Sequence, residues 1–292
     1  MKPSKFAYHA PAKLDEAVQL LERYGGNARV LSGGQSLIPM LNFRLLAPEA
    51  LVDLRRVPGL AGIRLAHGTV CIGAMTRQRA AENSELVARY LPLMKEALHW
   101  VGHLPTRSRG TIGGSIAHAD PSAELPTVLL ALDGAVVATG PSGARVIAAD
   151  DLFDTLFTTT LTPLEVLSEV RIPTIQARSG FAFEEYARRK GDFAIVGIAT
   201  VLEGDANRCT RARLVAAGVG GRPVRLRAAE QLLEKEGLSV ETVIAASRKA
   251  AEIVEPTSDP AASTDFRRHL TGVLAERALL RAIKLLEESG HG

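Results

Sequence analysis

The sequence predicts an α+β protein built from several packed units, and three observations support this prediction. The chain of 292 residues is long enough for one large domain or for two to three smaller ones. Its 46% apolar and 23% charged residues are typical of globular proteins. In the first half, short β-type runs alternate with helical patterns, whereas in the second half strand-like runs come before helices.

The first predicted unit spans residues 1–57. Leu14–Tyr24 has apolar residues at helical spacing and is followed by the stop signal Gly25-Gly26, a pattern typical of an amphipathic helix. Ala28–Leu31 and Ala50–Leu54 are short apolar runs that predict strands. We therefore expect a small α/β unit whose first strand leads directly into a glycine-rich segment.

The second predicted unit spans residues 58–175 and contains a hairpin, several helices and further strands. Its hairpin strands are expected at 63–66 and 69–73, its helices at 76–82, 91–102 and 124–132, and its later strands at 135–139 and 166–172. A second glycine-rich segment, expected to be a loop, separates the second and third of these helices.

The third predicted unit spans residues 176–292 and consists of a sheet covered by helices. Its strands are expected at 180–183, 194–201 and 212–219, and its helices at 225–236, 239–253 and 263–288.

Charge and residue counts argue against several classes of protein. The net charge is only +3, and clusters such as Arg107–Arg109 and Arg222–Arg227 are short and expected to be solvated, so nucleic acid is not an expected partner. Cys71 and Cys209 lack metal-ligand spacing, which predicts no metal or iron–sulfur cluster in this chain. Because we find neither a signal-peptide core nor an apolar stretch of about 20 residues, we expect a cytoplasmic protein without an integral membrane segment.

Two glycine-rich segments are the main functional signals. In Ser32–Ser36, the pair Gly33-Gly34 follows a predicted strand, so backbone amides can approach an anionic group such as a diphosphate. The second segment carries Gly113-Gly114 between Thr111 and Ser115. A single glycine pair is also compatible with a plain turn, and neither segment has the spacing of a Walker loop or of the dinucleotide fingerprint. Two such segments on separate units predict a ligand between the units.

Together these segments resemble a known family. Leu31–Leu41 and Arg109–Pro126 are similar to segments of the medium, FAD-binding subunits of the xanthine dehydrogenase family, especially that of aerobic carbon monoxide dehydrogenase. Lys5–Tyr8, Val52–Leu54 and Arg189–Ala194 extend the resemblance over essentially the whole chain. The resemblance implies an FAD-binding domain of the PCMH (vanillyl-alcohol-oxidase-like) type with two subdomains, followed by a C-terminal sheet-and-helix domain like that of the carbon monoxide dehydrogenase flavoprotein.

The resemblance also implies which residues bind FAD, while we assign no catalytic residue and no metal ligand to this chain. The implied FAD contacts are Arg29, Val30, Leu31, Ser32, Gly33, Gly34, Gln35, Ser36, Leu37, Thr111, Gly113, Gly114, Ser115, Ala117, Glu124 and Leu167. A lysine present in several relatives is replaced here by Glu184, and Lys190 is the nearest lysine. Phe193 is either a neighbour of the isoalloxazine ring or a core residue. His118 has the chemistry of a proton donor, but such a histidine more often forms a hydrogen bond or packs.

The implied function is electron transfer inside a larger molybdenum hydroxylase. The resemblance implies FAD in this chain, a large partner subunit that carries the molybdenum-pterin cofactor, and a small partner subunit that carries two [2Fe-2S] clusters. A dimer of such heterotrimers is the expected assembly. We expect the medium subunit of carbon monoxide dehydrogenase, with a xanthine, N-heterocycle or aldehyde dehydrogenase as the alternative. A self-contained flavin oxidase and a non-catalytic nucleotide-binding scaffold are the rival functions.

Overall fold

The computed structural model describes residues 2–176, 178–205 and 208–289. Its first unit consists of β1 (Ala7–His9), α1 (Leu14–Arg23), β2 (Ala28–Leu31), α2 (Leu37–Asn42) and β3 (Ala50–Asp53). The three strands form a parallel sheet in the order β1-β3-β2. Ala17, Val18 and Leu21 lie on the buried stripe of α1 and pack in the same core as the central strand. β2 ends directly before the first glycine-rich segment.

The second unit combines helices with an antiparallel sheet. Its elements are β4 (Ile63–Ala66), β5 (Thr69–Gly73), α3 (Gln78–Glu82), α4 (Glu85–Tyr90), α5 (Pro92–Leu98), α6 (Leu104–Arg109), α7 (Ile112–His118), α8 (Glu124–Ala131), β6 (Ala135–Gly140), β7 (Gly143–Ala148), α9 (Ala149–Leu152), β8 (Phe153–Thr155), β9 (Thr158–Thr159) and β10 (Val166–Pro173). The sheet order is β4-β5-β10-β6-β7, so β10 is the central strand although it is the last to be reached along the chain. β8 and β9 form a separate short hairpin.

The third unit is an antiparallel sheet with helices on one face. Its elements are β11 (Ser179–Tyr186), β12 (Val196–Gly204), β13 (Cys209–Ala217), β14 (Val224–Arg225), α10 (Arg227–Glu236), α11 (Val240–Ile253) and α12 (Thr264–Ser289). Strand alternation directs Ala182 and Leu202 into the core that holds the helices. Phe183 and Val201 point to the other face and join the core of the second unit, which includes Leu125. The sheet is therefore buried on both faces.

Ion pairs also join the second and third units. Asp133, which follows α8, accepts hydrogen bonds from Arg211, Arg213 (2.9 Å) and Arg225 (3.1 Å) of the third unit. Arg225 is also bonded to Glu230. The backbone of Asp133 is left-handed, with φ of 46°, a conformation that Asp tolerates better than most residues do. This carboxylate therefore compensates the charge of three arginines, two on β13 and one on β14, at the boundary between the units.

The predicted α+β class is confirmed, and several element predictions need correction. The helix expected at 76–82 begins at Gln78, because the Thr76 hydroxyl hydrogen-bonds the backbone of Gly62 instead of capping the helix. The helix expected at 91–102 covers only Pro92–Leu98. The second glycine-rich segment is not a loop but lies largely in α7.

The strands β1, β7, β8, β9 and β14 were not predicted from the sequence, and Arg225, expected to begin a helix, lies in β14. β7 is exposed at five of its six positions, so it lacks the alternation of buried and exposed residues that marks a strand. The division of the chain into units at 1–57, 58–175 and 176–292 stays a prediction. Residues 1, 177, 206–207 and 290–292 of these units lie outside the described part of the chain.

Candidate functional site

A cleft of about 700 Å³ opens between the first and second units, and Gly191–Phe193 of the third unit reach its edge. This volume lies within the range of small-molecule and cofactor sites. Every predicted contact residue except Leu31 borders the cleft. The Leu31 side chain packs behind the first glycine-rich segment, where its Cδ1 would lie 3.4 Å from a Cβ on Gly34. Contact of these residues with FAD stays a prediction.

The first glycine-rich segment lies directly against the backbone of the second unit. A Cβ on Gly33 would lie 2.5 Å from the carbonyl oxygen of Arg109 and 2.9 Å from Cα of Gly110, closer than side-chain atoms approach. Gly34 has φ of 75°, in the left-handed region that favours glycine. Only glycine therefore allows this segment both to turn and to contact the second unit, and it leaves backbone groups uncovered at the cleft.

The second glycine-rich segment forms the first turn of α7 and contacts the first segment. The Thr111 hydroxyl caps the helix by accepting a hydrogen bond from the Gly114 amide at 3.1 Å. Its oxygen is also 2.6 Å from the Ser32 hydroxyl oxygen, so a hydrogen bond joins the two segments. A Cβ on Gly113 would lie 2.4 Å from Cβ of Ala74. Gly113 therefore serves close packing of α7 against the end of β5.

Titratable side chains form one end of the cleft. Glu124, the first residue of α8, is 5% exposed, and burial raises the pKa of its carboxyl group. Burial also raises the pKa of Asp120 and lowers that of His118. The His118 ring stacks on Phe157 with centroids 5.0 Å apart, which agrees with a packing role for this histidine. Because each shift favours the neutral form, this end of the cleft carries less charge than its residue types suggest.

Phe193 borders the cleft with 61% of its surface exposed. The alternative that Phe193 is a core residue is therefore wrong, whereas its contact with the isoalloxazine ring stays a prediction. Lys190 is exposed and does not border the cleft. Glu184, at the position where the resemblance implies a lysine, forms an ion pair with Arg281.

Several residues at the cleft were missed by the sequence analysis. They include Ala74, Met75, Gln78, Phe157, Thr162 and Glu165. Gln78 is 5% exposed, and its Oε1 has no hydrogen-bond partner among the described residues. The Ser32 hydroxyl approaches the Met75 sulfur at 2.9 Å. No local motif marks these positions, because they reach the cleft through the packing of the second unit.

The arginine clusters are not simply a solvated surface. Arg107 is largely buried, donates to the carbonyl oxygens of Val101 and Gly102, and pairs with Glu82 at 3.1 Å. Arg225 is buried in the network around Asp133. The expectation of solvated clusters is therefore wrong for these two residues, which neutralise buried carboxylates.

Two matches to protein families show to which family this chain belongs. Residues 4–175 match the family described as "FAD binding domain in molybdopterin dehydrogenase", and residues 181–282 match "CO dehydrogenase flavoprotein C-terminal domain". The chain belongs to the FAD-binding subunits of the molybdenum hydroxylases. It is thus a subunit of an oxidoreductase with an FAD-binding domain, as the resemblance implied.

Individual members of this molybdenum hydroxylase family match almost the full length of the chain. The alpha subunit of the 6-hydroxypseudooxynicotine dehydrogenase complex from Paenarthrobacter nicotinovorans is 40% identical over 97% of this chain and 96% of the relative. The carbon monoxide dehydrogenase medium chain from Hydrogenophaga pseudoflava is 37% identical over 96% of this chain and 97% of the relative.

Solved structures of the family agree with this fold. A carbon monoxide dehydrogenase from Hydrogenophaga pseudoflava, which lacks the Mo-pyranopterin moiety of its molybdenum cofactor, matches with a TM-score of 0.95 and 38% identity over 97% of this chain and 98% of that one. Quinoline 2-oxidoreductase from Pseudomonas putida 86 matches with a TM-score of 0.93 and 37% identity over 98% and 99% of the two chains.

The residues at the cleft fit a bound FAD. Gly33 and Gly34 leave backbone groups uncovered, and Ser32, Gln35 and Ser36 add hydrogen-bonding side chains. The buried oxygen of Gln78 has no other partner among the described residues.

In the part of the chain that the structure describes, no helix is long and apolar enough to cross a bilayer. Nor do three or more His, Cys, Asp or Glu side chains of the described ranges converge as metal ligands would.

Proposed function

We propose that this chain transfers electrons within a molybdenum hydroxylase complex. It takes electrons from the [2Fe-2S] clusters of a small partner subunit and passes them to an external acceptor. The observation that carries this proposal is the cleft, where glycine-rich segments of two units are joined by the Ser32–Thr111 hydrogen bond. FAD bound there supplies the required chemistry, since a flavin accepts electrons singly and releases them in pairs.

In this proposal, the chain's own residues hold and orient the cofactor. The backbone of Ser32–Ser36 and the groups from Thr111 to Ala117 bind the diphosphate from two sides. Glu124 and Leu167 line the same cavity, and Phe193, at its open edge, would contact the ring. No side chain of this chain is assigned a covalent or acid–base step on the substrate. Substrate oxidation belongs to a large molybdenum-pterin partner, in a dimer of heterotrimers.

Carbon monoxide dehydrogenase is our first candidate for the parent complex. It is supported by the TM-score of 0.95 with the Hydrogenophaga pseudoflava enzyme. An N-heterocycle hydroxylase is the second candidate, supported by the 40% identical subunit of a 6-hydroxypseudooxynicotine dehydrogenase complex and by the quinoline 2-oxidoreductase structure. The two candidates assign the same task to this chain, because the substrate is bound by the large partner.

The test begins with the chain isolated from its own cells through an affinity tag. We expect a yellow complex that contains a larger and a smaller partner, together with molybdenum and iron. Anaerobic addition of carbon monoxide, or of an N-heterocycle such as quinoline, is expected to bleach the flavin absorbance of the complex. The separately purified chain, reloaded with FAD, is the matched control and is expected to stay yellow.

Three results would contradict the proposal. A chain without flavin absorbance would favour the nucleotide-binding scaffold. A separately purified chain that is bleached by substrate would favour the self-contained oxidase. A complex whose molybdenum centre is reduced by substrate while its flavin stays oxidised would exclude the electron-transfer role.

A further inference from the structure

Glu185 is a buried carboxyl group without a hydrogen-bonding partner for one of its oxygens. The residue is 7% exposed, and its Oε2 has no partner among the described residues. It lies on β11 two residues after Phe183, so strand alternation places both side chains on the same face of the sheet. Phe183 packs in the core that contains Leu125, the second residue of α8. Glu185 therefore lies between the third unit's sheet and the start of α8.

Glu124 is the acidic residue that faces Glu185 from α8. It is buried, borders the cleft and interacts electrostatically with Glu185. No ion pair involves either carboxylate among the described residues. The other charged groups that act on Glu124 are Asp120, of like sign, and Arg107, whose guanidinium is paired with Glu82.

Two ionised carboxylates at this position would lack compensation. Burial of an unpaired charge is costly, and two like charges that interact in a buried site titrate as one system. Burial raises the pKa of both carboxyl groups, and the charge of Glu124 raises the pKa of Glu185 further. At neutral pH the pair therefore retains a proton that an exposed glutamate would lose, while the Glu124 carboxyl group remains partly ionised.

We propose that Glu124 and Glu185 form a proton store beneath the cleft, which binds a proton when electrons enter the cofactor and releases it when they leave. This proposal rests on the proposed electron-transfer function. Electrons arriving in the cleft add negative charge, and negative charge raises the proton affinity of a nearby carboxylate. One carboxylate then takes one proton from solvent through the open cleft and becomes a neutral carboxyl group. No bond to the cofactor forms, and the electrons come from the partner's clusters. Glu185 acts through Glu124 and is a positioning residue.

The first experiment measures the pair in the full chain without FAD. Infrared difference spectra across a pH titration are expected to show the carbonyl stretch of a protonated carboxylic acid that persists to neutral pH. Glu124→Gln and Glu185→Gln are each expected to diminish or shift this band, whereas Glu185→Asp is expected to retain it. Glu184→Gln is the matched control, because the neighbouring residue on β11 is ion-paired with Arg281. It is expected to leave the band unchanged.

The second experiment counts protons in the FAD-loaded complex. A pH indicator in weakly buffered solution reports proton uptake when the flavin is reduced anaerobically with dithionite. Wild type and Glu184→Gln are expected to bind more protons per flavin than Glu124→Gln and Glu185→Gln. The midpoint potential of wild type is correspondingly expected to fall more steeply with rising pH than that of the two variants.

The outcomes separate this proposal from the proposed function. A band that is absent, or unchanged in both variants, overturns the pair whether or not the chain transfers electrons. A band that disappears in the variants while proton uptake stays equal to wild type overturns the proton store. If the FAD-free chain shows the expected band but the flavin of the complex is not reduced by substrate, electron transfer is refuted and the carboxyl pair is not.

Discussion

Gly33→Ala tests the contact between the two glycine-rich segments most directly. The new Cβ would lie 2.5 Å from the carbonyl oxygen of Arg109 and 2.9 Å from Cα of Gly110, and both are backbone atoms that no rotamer change can remove. Ordinary contact begins at 3.4 Å, so the two backbones must separate by about 0.9 Å. This separation moves Ser32 away from Thr111, whose hydroxyl oxygens are 2.6 Å apart.

The expected cost follows from the energetics of overpacking. One additional methyl group in a well-packed contact costs about 1–3 kcal/mol. If the cofactor must restore the original separation on binding, FAD affinity falls by about 5- to 150-fold, since about 1.4 kcal/mol corresponds to a factor of ten. Where the segments separate permanently instead, the same cost appears in the unfolding free energy of the chain without FAD.

The assay combines fluorescence titration of the FAD-free chain with FAD and urea unfolding of the same samples. Gly272→Ala in α12 is the matched control, because its Cβ meets Ala251 at an ordinary 3.4 Å far from the cleft. We expect weaker FAD binding, lower stability, or both, for Gly33→Ala alone. A Gly33→Ala chain with wild-type affinity and wild-type stability would refute the reasoning.

Four further predictions concern the rest of the molecule. Asp133→Asn keeps a residue that tolerates φ of 46° but removes the charge facing three arginines, so urea unfolding should show a loss of about 1–2 kcal/mol; an unchanged midpoint would contradict the network. Gly272→Ala should raise the unfolding free energy by about 0.5–1 kcal/mol through helix propensity, and a decrease would contradict this. Because burial raises the pKa of Glu124 in the folded chain, its carboxyl group stabilises the fold at acidic pH, and this contribution is lost as pH rises above the ordinary carboxyl range, by about 1.4 kcal/mol per pKa unit. Glu124→Gln should therefore make the unfolding free energy decline less steeply with rising pH. Equal slopes for the variant and wild type would contradict this. Phe193→Ala should change stability by less than about 0.5 kcal/mol because the side chain is 61% exposed, yet lower FAD affinity and alter flavin absorbance; unchanged affinity and absorbance would exclude ring contact.

The part of the site that the sequence predicted is local in the chain. Ser32–Ser36 directly follows the short strand β2, and its glycines indicate a close backbone approach. Gln78 and Met75 carry no such signal, because backbone hydrogen bonds to residues distant in sequence, Gly110 and Leu60, position them. The loop predicted around Gly113-Gly114 was wrong, because capping by Thr111 and close packing against Ala74 outweigh the low helix propensity of glycine.

The burial of charged residues was equally hidden from the sequence. Arg107 and Arg225 are surrounded by carboxylates and carbonyl groups that come from other segments of the chain. Glu185 follows Phe181 and Phe183 at alternating positions of β11, a pattern that indicates its buried face only once the strand's extent is known. Residue type alone favours an exposed surface for all three residues.

The central position of β10 also determines the order in which this chain can mature during synthesis. β5 ends at Gly73 and β10 begins only at Val166; β5 pairs with β4 on one edge and β6 with β7, but the other edge of each strand is paired only by β10. At a ribosomal rate of about 5–20 residues per second, the free edge of β5 waits about 5–20 s for β10, and that of β6 waits about 1–7 s. Throughout this interval the nascent chain offers unpaired strand edges to other chains, the configuration in which aggregation begins. We therefore expect a cell that makes this subunit in quantity to protect the growing chain until β10, which contributes Leu167 to the cleft, has closed the sheet.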